Sequence, residues 1–199
     1  MTERGMIFNG EMVRAILDGR KTQTRRPVKF PVHDKNLGCE LAGNELAGEL
    51  SAGNYLNSAF GKPGDRIWVR EAFRVHSRAT DVATLVYKAS ERNSWTEQTR
   101  RVPVAVCNKP ATPEKWTPSL HMPRWASRIL LEITDVRVER LRSMSQDDAR
   151  AEGVIAASGP MEAGLAFREL WDSIYGEESW KANPWVWVIE FKRVEGGAA

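Results

Sequence analysis

A lysine, two threonine hydroxyls and three arginines fall within eight residues near the N-terminus, Gly19-Arg20-Lys21-Thr22-Gln23-Thr24-Arg25-Arg26. A threonine hydroxyl is a weak nucleophile until a base stands beside it, and a lysine that has lost its proton can be that base. Lysine titrates near about 10.4 when unperturbed, so a basic lysine at neutral pH needs burial or cationic neighbours. Arg20, Arg25 and Arg26 can supply the positive field. Lys21 and Thr24 lie three residues apart, which in a straight strand sets them on opposite faces, so they meet only if the chain bends. Thr22 is the other candidate hydroxyl. A solvated basic turn explains the same residues without any chemistry.

A second chemical group, Glu152, closes a short helix that Ser145 caps, directly before Gly153. The helix dipole presents its negative end there, where a carboxylate is disfavoured by several tenths of a kcal/mol. That field favours the protonated form a general acid needs. A solvated helix end is the bland alternative. Asp147 and Asp148, in the first turn, are favourable dipole partners and need no further role.

The corner must be held by the element before it. Asn9 can cap a first turn, Met12, Val13, Ile16 and Leu17 make one apolar face, and Gly19 suits the left-handed position after the last turn. A short strand over Met6-Ile7-Phe8 feeds this helix. Residues 32–62, rich in Gly, Asn, Ala and Ser, read as a long loop with a helical turn at Asn44 to Leu50. Pro63-Gly64-Asp65 forms a turn before Arg66 to Glu71, which alternates like a half-buried strand. Two more strands are expected at residues 83–89 and 101–107. Residues 108–126 hold too many prolines for a helix and read as an ordered loop dense in large side chains, among them Trp116, His121, Arg124 and Trp125. The clearest strand runs from Ile129 to Leu141, with a change of register near Thr134-Asp135. A helix over residues 161–175 turns Met161, Leu165, Leu170, Trp171 and Ile174 inward, and Trp185 to Phe191, apolar on both faces, is a central strand. The tail from Glu195 to Ala199 reads as disordered.

With 199 residues and 42% apolar content, the chain can bury one good core and reads as a single domain over residues 1–194. The net charge of +3 is mildly basic and permits a nucleic-acid partner without demanding one. Cys39 and Cys107 have no metal-type spacing, His33, His76 and His121 are scattered, and no apolar run is long enough to span a membrane. The expectations are therefore a cytoplasmic location, no membrane and no metal or other cofactor. Eight tryptophans imply an aromatic core or rings set to stack on a base.

Three stretches together resemble the ASCH domain family: Ile16 to Arg26, Pro63 to Arg70, and the closing Trp-Val-Trp-Val-Ile-Glu-Phe strand. The helix followed by Gly-Arg-Lys-Thr-x-Thr is the most specific of them. The resemblance implies an α+β fold, a PUA-like mixed β-barrel of about six strands with flanking short helices, carrying insertions at about 27–62 and 74–115 as in longer phage and prophage members. One branch of the family removes the acetyl group from N4-acetylcytidine and related N4-acylated cytosines. Carried over residue by residue, its lysine matches Lys21, its nucleophilic threonine Thr24 and its glutamate Glu152. The implied partner is a small nucleoside or nucleobase. Arg20, Thr22 and Arg26 are expected to contact it from the corner, and Trp68, Glu71, His121, Arg124 and Trp125 from elsewhere, with a tryptophan stacked on the pyrimidine. The rival readings are an RNA-binding module using the Arg20–Arg26 cluster and a ribonuclease acting on single-stranded RNA.

Overall fold

In a computed structural model of the chain, which describes residues 1–155 and 162–195, ten β-strands and six α-helices are laid out in an α+β order. The chain divides into two compact units, each assembled from separated stretches. One holds residues 1–2, 18–65 and 132–192; the other holds residues 3–17, 66–131 and, among the described residues, 193–195. In neither unit do the strands of the described residues close into a barrel. No helix among them is long and apolar enough to cross a membrane.

In the first unit, β2 (Gln23–Pro27) runs antiparallel to β10 (Trp185–Arg193), with Gln23 opposite Glu190, Thr24 opposite Ile189 and Arg25 opposite Val188. β9 (Leu130–Arg140) lies on the other side of β10, which is therefore central, as its two apolar faces imply. Along β9, Ile133 and Val136 are both buried with two polar residues between them, the register change the sequence suggests. Against this sheet pack α4 (Gln146–Ala151), α5 (Ala163–Tyr175) and α6 (Glu177–Ala182), around Leu141, Ala149, Phe167, Trp171, Val186 and Val188. The inward face of α5 differs from expectation. Ala163, Phe167 and Trp171, spaced four apart, are buried, whereas Leu165 and Ile174 are exposed. Met161 and residues 196–199 of the expected tail lie outside the described residues.

The stretch 32–62 is not one long loop. It holds a small ladder of β3 (Val32–His33) with β4 (Glu40–Leu41) and a nine-residue helix, α2 (Gly43–Ser51). The helix survives its two glycines because Glu45 accepts a hydrogen bond from the Ala42 N–H at 2.8 Å and Leu46 and Leu50, four apart, are both buried. Gly43 is required by close approach, since a Cβ there would sit 2.3 Å from the Trp185 indole nitrogen.

The second unit starts with β1 (Glu3–Ile7), parallel to β5 (Arg66–Arg70). Between them in sequence is α1 (Gly10–Leu17), capped by Asn9, whose side-chain oxygen accepts from the Met12 N–H at 2.8 Å. An antiparallel meander follows, of β6 (Phe73–Arg78), β7 (Val82–Tyr87) and β8 (Thr99–Pro103), the last preceded by a one-turn helix, α3 (Trp95–Gln98). Strand β6 carries no clear apolar signal because Arg74 and His76 alternate with the buried Phe73 and Val75. The core here is Phe73, Val75, Leu85, Tyr87, Val102 and Met122. Residues 108–126 are ordered, with short 3-10 turns at Ser119–His121 and Arg124–Ala126: Thr117 exchanges backbone hydrogen bonds with Phe73 (2.7 and 3.2 Å), and the Tyr87 hydroxyl donates to Ala126 O at 2.7 Å.

Candidate active site

Gly19, at φ +76°, turns the chain out of α1 as its position predicts. The next residues are clamped from two sides. Lys21 forms an antiparallel bridge with Glu152, and the Thr22 N–H donates to Ala151 O at 2.8 Å. On the other side the Phe191 N–H donates to Thr22 O at 2.8 Å. Glu152 is the residue after α4, and Gly153, at φ +86°, ends that helix. The cap of α4 is reciprocal: Ser145 Oγ accepts from the Asp148 N–H at 3.1 Å, and Asp148 accepts from the Ser145 N–H at 2.8 Å. The basic corner and the acidic helix end, 131 residues apart in sequence, therefore meet through backbone as well as side chains.

The Lys21 ammonium donates to Glu152 Oε2 at 2.9 Å and to the Glu152 carbonyl at 3.0 Å. Both side chains are withdrawn from water, at 0% and 3% exposure. Glu152 Oε1 accepts from Arg25 at 3.1 Å, so one carboxylate bridges two buried cations. The carboxylate is therefore an ion partner, not the lone helix-end group the sequence suggests. Burial is the largest influence on Lys21 and lowers its pKa; the Glu152 charge opposes this, and Arg26 and Arg25 add to the lowering. The outcome is a lysine below its ordinary range, in the direction a general base requires.

Around this pair lies a wider network that local spacing does not reveal. Arg25 also donates to Glu139 at 2.8 Å and approaches Asp148 at 3.6 Å. Arg137 holds Asp135 (3.0 Å), Asp148 (3.2 Å), Glu139 (3.3 Å) and Glu190. Gln23 donates to Asp148 O at 2.9 Å. For Asp148, burial works to raise the pKa, but hydrogen bonds from Ser145 and the nearby Arg25 outweigh it and hold the group below the usual carboxylate range.

Gln23 and Arg25 both reach Asp148, so Thr24 between them points to the opposite face of β2. Thr24 is 1% exposed, and its hydroxyl makes no hydrogen bond with the described residues. Lys21 and Glu152 are brought into contact; neither hydrogen-bonds the Thr24 hydroxyl. Thr22 is exposed and Arg26 half-buried. Arg20 donates to Gly153 O at 2.6 Å and to Asp18 at 3.1 Å, bracing the end of α4.

The other expected contact residues belong to the second unit, and each has a partner or packing role there, His121 excepted. Glu71 is 2% exposed and makes a two-pronged ion pair with Arg128 at 2.8 and 3.0 Å. Burial raises the Glu71 pKa, against the pull of Arg128. Trp68 lies against Gly5, where a Cβ would come within 2.5 Å of its ring, and beneath the Arg70 guanidinium. Trp125 packs edge-on to Phe73, and Arg124 pairs with Glu3 at 2.9 Å. His121 is exposed in a short 3-10 turn.

Comparison of the chain with family models, curated proteins and solved structures returns no match.

Proposed function

We propose that the chain is an amidohydrolase that removes the acyl group from N4-acylated cytosine or cytidine, with an ASCH-type corner on an α+β framework. The observation that carries this reading is the buried contact between Lys21 and Glu152, two of the three residues the resemblance assigns to catalysis. Thr24, three residues on and on the opposite face of β2 from Gln23 and Arg25, supplies a buried hydroxyl with no hydrogen bond among the described residues.

One proton shift prepares both ends of the reaction. When substrate excludes the remaining water, transfer of a proton from Lys21 to Glu152 replaces a buried ion pair by two neutral groups, which a low-dielectric site favours. Lys21 is then a base and Glu152 an acid. The Thr24 proton then passes to the neutral Lys21 amine while its oxygen attacks the acyl carbon, a step that needs the strand to turn Thr24 from the face opposite Gln23 and Arg25 toward Lys21. The tetrahedral intermediate collapses as the carbon–N4 bond breaks and Glu152 protonates the leaving exocyclic amine. A water molecule next attacks the acyl-threonine, its proton passing to Glu152, and the departing Thr24 oxygen recovers its proton from Lys21. The carboxylic acid leaves and the cycle closes with every proton accounted for. Arg25, fixed by Glu139 and Glu152, keeps positive charge beside the Lys21–Glu152 pair. Arg20 and Arg25 are held by protein acceptors, which supports a structural positive field over a phosphate-gripping role for the corner.

The test is turnover of N4-acetylcytidine to cytidine, followed by absorbance, for the wild type and for Lys21→Arg, Thr24→Ala and Glu152→Gln. Lys21→Arg is the most informative variant. It preserves a cation beside Glu152 but cannot act as a base at neutral pH, so the fold is expected to persist and turnover to fall by at least about a thousandfold. Retained turnover in Lys21→Arg or Thr24→Ala refutes the mechanism.

A further inference from the structure

The charge of the chain is unevenly divided. The second unit carries 15 Lys and Arg against 8 Asp and Glu, a net of +7; the first carries 14 against 18, a net of −4. Within the second unit, the two edges of the β6–β7–β8 meander differ. The β6 edge is covered: Thr117 bridges to Phe73, and the Thr112 N–H donates to Val75 O at 2.9 Å. The β8 edge pairs with no strand among the described residues.

The register fixes which backbone groups that edge presents. The Val104 N–H donates to Asp81 O at 2.9 Å, which marks Asp81 and Val104 as a hydrogen-bonded pair. Antiparallel ladders alternate, so Val102 with Ala83 and Arg100 with Leu85 exchange bonds, while Pro103 with Val82, Arg101 with Thr84 and Thr99 with Val86 do not. The N–H and C=O groups of Arg101 and Thr99 therefore point outward from the sheet, with no backbone partner among the described residues. Pro103 stops this open stretch. It has no N–H, and its carbonyl accepts from the Val106 and Cys107 N–H groups at 3.0 and 3.2 Å. Thr99, Arg101 and Pro103 share one face of the strand. There Arg101 is exposed and meets no carboxylate among the described residues, and Val82, opposite Pro103, is 38% exposed.

We propose that the β8 edge takes an added antiparallel strand from a partner protein, an extended acidic segment. Its pattern follows from the register. An apolar residue lies against Pro103 and Val82, an Asp or Glu two residues on lies against Arg101, and a β-branched residue two further on lies against Thr99. A second copy of this chain does not fit. In the two-fold arrangements that set the outward groups of two copies against each other, an arginine meets its own copy, Arg101 in one register and Arg100 in the other. Arg101 and Pro103 thus blunt the edge against itself and leave it open to a strand of opposite charge. The positive charge of the whole unit draws the same partner. These residues are separate from Lys21, Thr24 and Glu152, so the surface goes beyond the amidohydrolase reading.

The experiment is fluorescence anisotropy of a labelled peptide, Ser-Val-Thr-Glu-Thr-Val-Ser, with the full chain, together with amide hydrogen exchange. Binding is expected to slow exchange at the Arg101 and Thr99 amides and to leave the Arg100 and Val102 amides, already in the ladder, as they were. N-methylation of the peptide's Glu removes the N–H that meets Arg101 O and is expected to abolish binding. N-methylation of either Thr, whose N–H points away from the edge, is expected to be tolerated. Arg101→Gln loses the charge alone and is expected to weaken binding about threefold, the worth of one cross-strand ion pair. Arg101→Pro also removes the outward N–H, which the sheet does not use, and is expected to abolish binding while the fold persists. Lys21→Arg is expected to bind the peptide as the wild type does, so this surface and the hydrolase reading fail separately. Four results overturn the proposal: no binding at about 1 mM peptide, equal binding of a scrambled peptide of the same composition, binding indifferent to N-methylation of the Glu, or a dimer of the chain that Arg101→Pro dissolves.

Discussion

Replacing Glu152 by Gln should expose what the buried pair does to stability, and the size follows from its geometry. Glu152 holds Lys21 at 2.9 Å and Arg25 at 3.1 Å with almost no access to water. Removing one partner from a buried pair costs about 3–5 kcal/mol, because a charge is left uncompensated. Glutamine keeps an acceptor for Lys21, and Arg25 keeps Glu139, so the lower end applies, about 3 kcal/mol at neutral pH. The loss must also vary with pH in a definite sense. The folded-state pKa of Lys21 lies below the 10.5 of the unfolded chain. Between those values the unfolded chain binds more protons, so stability rises with pH, by at most about 1.4 kcal/mol per unit for one group. The penalty is full below the folded value and gone above the unfolded one. Without Glu152 the charge that raises Lys21 is absent, so the window opens at lower pH in the variant. Its deficit against the wild type should therefore shrink, from about 3 kcal/mol at neutral pH, as the pH rises toward the unfolded-chain value of 10.5. Urea unfolding followed by tryptophan fluorescence measures the deficit at each pH. A deficit below about 1 kcal/mol at neutral pH, or one that is flat with pH, refutes the coupling between Lys21 and Glu152.

Three further outcomes test the surroundings. Asp148 has a lowered folded-state pKa, so its stabilisation is present above the ordinary carboxylate range and lost as pH falls through the folded value; Asp148→Asn should melt lower than wild type at neutral pH, and the difference should shrink as the pH is lowered through the carboxylate range. Glu71→Ala leaves Arg128 without its carboxylate, and chemical unfolding should show a loss of about 3 kcal/mol. Gly43→Ala must push aside the Trp185 ring, and a loss of about 1–3 kcal/mol with an altered tryptophan emission is expected.

What the sequence made legible was whatever depends on local spacing. Asn9, Gly19, Ser145 and Gly153 announce the ends of α1 and α4, and all four act as those ends. Those two boundaries place Lys21 and Glu152, so the candidate pair could be named without knowing that they touch. Arg25 could not. It sits in a run of cations that reads as solvent-facing, and its burial depends on Glu139 and Asp148, 114 and 123 residues away. Strand β9 hid its half of the network for a related reason. Arg137 and Glu139 alternate with Val136 and Val138 like the wet side of a half-buried strand, and only the packed α4 converts that side into an ion-pair layer. The meander strand β6 was hidden by the same ambiguity, a polar residue at every second position with few apolar ones between. Helix α2 showed in the sequence only as a helical turn at Asn44 to Leu50, because the cost of its glycines is local while the gain from burying Leu46 and Leu50 is tertiary.

A buried lysine–glutamate contact is weak evidence for stability, and this separates a catalytic role from a structural one. Well-packed apolar residues in place of a buried ion pair are often neutral or stabilising by about 1–4 kcal/mol, whereas loss of one partner is costly. Here the replacement is feasible: in Lys21→Met/Glu152→Leu both charges go together, and Arg25 retains Glu139 at 2.8 Å and Asp148 at 3.6 Å. The Glu152 carbonyl does lose the donor at 3.0 Å, a deficit of about 1 kcal/mol. The double variant should therefore unfold within about 2 kcal/mol of wild type and lie well above the sum of its two single changes, a coupling that a double-mutant cycle reads directly. It should also show no turnover of N4-acetylcytidine. If the two changes instead add, each costing what it costs alone, Lys21 and Glu152 are not coupled, and the case for a catalytic proton shift between them falls with it.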